Sequence, residues 1–131
     1  MEYTFGSYVR EKRLNKGINL RAMAKILDIA PAYMCDIEND NRYPPEKEKI
    51  EKLTMALSLT KEETDFLFDL AGKTKKNAVS PDLPEYIMNN DNLRIALRLA
   101  RDNRLGEEEW EKVIRILESE IEEGQEDWVG T

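Results

Sequence analysis

The feature that most constrains this chain is its punctuation. Glycines and prolines divide it into short segments whose apolar residues recur every three or four positions, and no run shows the two-residue alternation of a β-strand. The expected fold class is therefore all-α. Phe5 and Val9 share one side of a first helix that Gly17 ends by supplying a left-handed residue. Leu20, Met23, Ala24 and Leu27 follow the i, i+3, i+4, i+7 spacing of a short second helix. Asp28 to Ala30 break the pattern, and Pro31 suits the first turn of a third helix running to about Asn39. Met34 and Ile37 form its inward side. Pro44-Pro45 opens a fourth helix with Ile50, Leu53 and Leu57. Thr60 and Glu63 have capping-box spacing before a fifth, which carries Phe66, Leu67 and Leu70 and is expected to end at Gly72.

At 131 residues the chain has room for a small domain and an appended module. Residues 1–72 read as the first, the polar stretch 73–82 as a linker, 83–123 as a C-terminal helical module and 124–131 as a tail. In that module Leu93, Ala96, Leu97 and Ala100 form one stripe and Ile95 and Leu99 a second. Trp110, Val113, Ile114, Leu117 and Ile121 form another after the connection at Asn103 to Gly106, giving a helical hairpin. About forty residues cannot bury all of these stripes alone. The expectation is a homodimer with Ile95, Leu99, Trp110, Val113, Ile114 and Leu117 at its interface.

No apolar run approaches the roughly 20 residues of a membrane span, and the first residues lack the layout of a signal peptide, so the expected location is the cytoplasm. With one cysteine and no histidine, neither an intramolecular disulfide nor a typical zinc site can be built, and no cofactor is expected. The net charge of −7 at first argues against nucleic acid. Its distribution does not. Residues 1–45 carry seven basic and six acidic residues, a balance of +1, and the remainder carries −8.

The stretch TFGSYVREKRLNKGINLRAMAKILDIAPAYMCDIENDNRYPP carries a Phe-Gly opening, Arg-x-x-Arg on helix one, Leu-Arg-x-Met-Ala on helix two, Tyr33, Asp-Ile-Glu at 36–38 and Arg-x-Pro-Pro. In these features it resembles the phage-repressor-like helix-turn-helix family of bacterial and phage regulators, the xenobiotic-response-element type, over residues 4–71. The resemblance implies that helix three enters the major groove of double-stranded DNA. Asn19, Arg21, Asn39, Asn41 and Arg42 would then contact phosphates, and Ala32, Tyr33 and Asp36 would face base edges. Arg13 and Glu38 match a structural ion pair of the family. The chain departs from the pattern at Ala30 and Cys35, where the family often has Ser, and at Asp28 and Asp40, where it often has Gly. The cap of helix three is thereby lost, and two carboxylates are expected near the DNA side.

Other readings of these residues are weaker. Cys35 has no Lys or Arg beside it in sequence to activate it and reads as a Ser-sized filler. Asp36 to Asp40 fails the calcium-loop pattern, with Asn41 and Lys47 where Gly and Glu are required. Glu62-Glu63 and Glu107 to Glu109 sit in first helical turns, where the macrodipole favours negative charge. The lack of a histidine, of a nucleophile with a nearby base and of a glycine-rich phosphate loop argues against an enzyme. The functional expectation is a DNA-binding transcriptional regulator, a repressor on a palindromic operator. The alternative is an antitoxin or anti-repressor-like component whose acidic C-terminal module engages a protein partner.

Overall fold

The computed structural model describes residues 2–75 and 78–129, the last five by backbone alone. Among them are eight helices and no strand: α1 (Phe5–Lys16), α2 (Leu20–Ile26), α3 (Pro31–Glu38), α4 (Lys47–Ala56), α5 (Lys61–Gly72), α6 (Pro84–Met88), α7 (Asp91–Asp102) and α8 (Glu107–Val129). None is long and apolar enough to cross a membrane. The chain divides into two compact units, Met1–Tyr86 and Ile87–Thr131.

The first unit holds the core. Phe5, Val9, Met23, Leu27, Met34, Ile37, Ile50, Leu53 and Leu67 are its largest fully buried side chains, each stabilising the fold by roughly 1.5–3 kcal/mol. They draw α3 against α1 and α2, α5 against α1, and α4 against α2. Phe66 is half-exposed, because its ring belongs to an outer cluster with Tyr3 and Tyr8 at centroid distances of 6.2 and 5.1 Å. Beside it Lys12 and Glu63 pair at 2.5 Å, joining α1 to α5. That hydrogen bond, with the Thr60 amide of the capping box, holds the Glu63 carboxyl below its usual range.

Five helices end in the same way. After α1, α2, α3, α4 and α7 one residue turns left-handed, and two amides reach back to the last turn's carbonyls. Gly17 does this without strain at φ 71°, whereas Asp28, Asp40, Ser58 and Arg104 hold φ between 51° and 59°, at a cost of about 1 kcal/mol each. Ser58 makes no side-chain bond that repays this. Ser58→Gly is therefore expected to stabilise the protein by roughly 0.5–1 kcal/mol. Thermal unfolding checks it, and an unchanged or lowered midpoint would contradict the assignment.

Two boundaries differ from the sequence expectation. α4 begins at Lys47 with Glu46 before it, so Pro44 and Pro45 precede the helix, and Pro45 is buried. Gly72 ends α5 as expected, and it also allows a close approach: Cβ at this position would lie 2.7 Å from the Ser80 amide nitrogen. Ser80 packs on Gly72, and its hydroxyl donates to Asp69 at 2.5 Å. Lys76 and Asn77 lie outside the described residues. The unit boundary falls after Tyr86.

In the second unit Arg94 donates to the carbonyls of Ile87 and Met88 and to the Asp91 carboxylate, fixing the entry to α7. Glu109 accepts from the Gly106 amide at the start of α8, and bonds to backbone amides hold its carboxyl below the usual range. α8 continues through Val129, into the segment expected as a tail; Gly130 and Thr131 lie outside the described residues.

Candidate nucleic-acid interface

α2 and α3 are joined by four residues, Leu27 to Ala30. The join is short because α2 closes at once through Asp28, and the Lys49 ammonium of α4 donates to the Leu27 carbonyl at 3.0 Å. Asn19 caps α2, its side chain accepting from the Ala22 amide at 2.8 Å. Its own amide group remains a donor at an exposed helix N-terminus, next to exposed Arg21. α3 opens on Pro31 with no side-chain cap at Ala30, which leaves first-turn N–H groups open to a ligand or water.

α3 is held at its far end by two buried or half-buried arrangements. Arg13 of α1 grips Glu38 with two hydrogen bonds, 2.6 Å from Nε and 2.9 Å from Nη2, and its Nη1 donates to the Ile18 carbonyl at 2.9 Å. Arg13 and Glu38 are 8% and 6% exposed, and the bonds to Glu38 raise the guanidinium pKa further. At the neighbouring turn, Asp40 accepts from the Gly6 amide at 3.0 Å and from the Thr4 hydroxyl at 2.6 Å. Asp40 remains an exposed carboxylate at this turn. Both its oxygens are engaged at the N-terminus of α1, where the helix dipole favours negative charge.

The expected base-facing and phosphate-contacting residues are not separate groups. Ala32 is exposed, but Tyr33 is half-buried against the core and Arg42 lies over its ring, 4.6 Å from the centroid. Arg42 also pairs with Asp36 at 3.5 Å. Tyr33, Asp36 and Arg42 thus form one cluster. Asn39 is exposed and donates to the Cys35 sulfur at 3.4 Å; exposed Asn41 begins the irregular segment leading to α4.

Sequence reasoning missed Arg10. It lines a groove of about 250 Å³ with Arg13, Leu20, Cys35, Glu38 and Asn39, bringing a cation to the α3 side that is absent from the local sequence around Cys35. The available signal was its i, i+3 spacing with Arg13, which puts both on one face of α1. Among the described residues Arg10, Lys16, Arg21 and Lys25 have no ion-pair partner. By contrast, four of the six carboxylates in 1–45, on Glu11, Asp36, Glu38 and Asp40, bond within the protein. No group of three His, Cys, Asp or Glu suited to a metal ion occurs among the described residues.

The residues expected at a dimer interface lie on α7 and α8. Ile95, Leu99, Ile114 and Leu117 are each more than half exposed, Val113 is 37% exposed and Trp110 is intermediate.

No protein-family model and no curated protein sequence matches the chain. Among solved structures it is similar to the SinR protein/SinI protein complex, at 16% sequence identity over 91% of this chain and 99% of the matched one, with a TM-score of 0.43.

Proposed function

We propose that this protein is a sequence-specific DNA-binding regulator, a repressor that uses α2 and α3 as a helix-turn-helix and binds a palindromic operator as a homodimer. The observation that carries the reading is the charge of the α2–α3 side. Most of its carboxylates are bonded internally, while Arg10, Arg21 and nearby Lys16 and Lys25 are free to meet phosphate. In this reading the open amides at α3, with Asn19, Arg21, Asn39, Asn41 and Arg42, anchor the backbone, and Ala32, Tyr33 and Asp36 meet base edges. With no recognition-helix Lys or Gln, direct base readout is thin, and DNA shape and half-site spacing carry more of the specificity.

Selection from a pool of random duplexes tests this. The expected product is a palindrome with half-sites ~34 Å, one helical turn, apart; no enrichment over many rounds would contradict it.

The open apolar stripes of α7 and α8 support pairing with a second copy, since monomers rarely leave extended apolar faces in water. Leu117→Glu is expected to convert the dimer to monomer in sedimentation. Affinity for a two-half-site operator should fall roughly 100-fold, with binding to a single half-site unchanged. A variant that stays dimeric would move the interface elsewhere. A protein partner is the second reading of this module, favoured by the predominantly acidic α8.

A further inference from the structure

After α5 the chain returns to the segment that joins α3 to α4. The Lys75 ammonium stands 4.3 Å from the centroid of the Tyr43 ring. Thr74 joins Thr4, Asp40, Asn41, Arg42 and Tyr43 around an open cleft of about 420 Å³. The protons of both threonine hydroxyls are committed, Thr74 to the Ala71 carbonyl and Thr4 to Asp40. Asp40, the carboxylate of the cleft, has both oxygens occupied. The donors left in the lining are the Asn41 amide, the Tyr43 hydroxyl and the Arg42 guanidinium, and the Lys75 ammonium adjoins them through the Tyr43 ring, each cation laid on an aromatic ring. The Arg42 pair with Asp36 is half-exposed and screened by solvent, so it exchanges readily for another anion.

We propose that this cleft seats a DNA backbone phosphate on Asn41 and Arg42, with Lys75, a residue outside the helix-turn-helix, as its second cation. The inference rests on the DNA-binding reading and extends the contact surface to the segment following α5. A backbone phosphate fits better than a free anion because the cleft is open, holds no buried cation, and continues directly from Asn41 and Arg42. The Tyr43 ring keeps the long Lys75 side chain in place, reducing the entropy lost when the phosphate arrives.

The test is fluorescence anisotropy on a labelled operator duplex over a salt series. Lys75→Ala is expected to reduce the slope of log affinity against log salt by about 1, while Lys75→Arg keeps the wild-type slope. Lys61→Ala, at an exposed lysine on α5 that pairs with Asp65, serves as control and should change nothing. Lys75 is exposed, so the variant is expected to melt like wild type. A wild-type slope for Lys75→Ala, or an equal loss from Lys61→Ala, overturns the cleft assignment alone. Failure of the wild-type protein to bind any duplex overturns the DNA reading and this inference together.

Discussion

Glu38→Ala is expected to lower the unfolding free energy by about 3–5 kcal/mol, a large share of what a chain of this size possesses. The reason is the partner left behind. Arg13 is 8% exposed and cannot lose its proton, so removing Glu38 strands a guanidinium with one remaining bond, to the Ile18 carbonyl. Arg13→Ala strands the carboxylate in the same way. The double variant should be much less destabilised than the sum of the two, because it removes both charges and leaves only a packing defect. Urea denaturation of the four proteins closes this cycle. Additive losses, or a Glu38→Ala effect below about 1 kcal/mol, would mean that water reaches the pair and that it does not fix α3 on α1.

Gly6→Ala is expected to destabilise by about 1–3 kcal/mol or more, although Ala is the better helix former. A Cβ at this position would lie 2.4 Å from the Ile37 carbonyl oxygen, 2.5 Å from that of Glu38 and 2.7 Å from the Asp40 carboxylate. Two of the three are backbone atoms and cannot swing aside. The substitution would push the end of α3 away from α1, breaking the Gly6–Asp40 hydrogen bond and disturbing the Arg13–Glu38 pair beside it. Native-state hydrogen exchange should show faster exchange at the C-terminal end of α3 as well as a lower melting temperature. Unchanged stability would show that the close approach is not required.

The core was legible because burial follows the apolar period: Val9, Met23, Ala24, Leu27, Met34, Ile37, Ile50, Leu53 and Leu67 were all on the inward stripes and all are buried. What the period cannot report is where backbone meets backbone. Gly6 stood in the sequence as a feature shared with a family, but its cause is the pair of α3 carbonyls some thirty residues away. Gly72 was read correctly as the end of α5, but its contact with Ser80 could not be seen from the period. The bonds made by Asp40 could not be read, because its two partners, Gly6 and Thr4, are distant in sequence. The roles of Arg42 and Asp36 came from the family resemblance, and no helical spacing shows that Arg42 folds back over Tyr33.

The most direct measurement is binding of the full-length protein to its own upstream DNA and to a scrambled duplex of equal length, across a salt series. The account predicts preference for the upstream fragment, with affinity falling steeply as salt rises and with Arg21→Ala weakening binding to both duplexes. Equal affinity for the two fragments, or no binding at the lowest salt, would contradict it and leave the acidic C-terminal module and a protein partner as the better explanation of the chain.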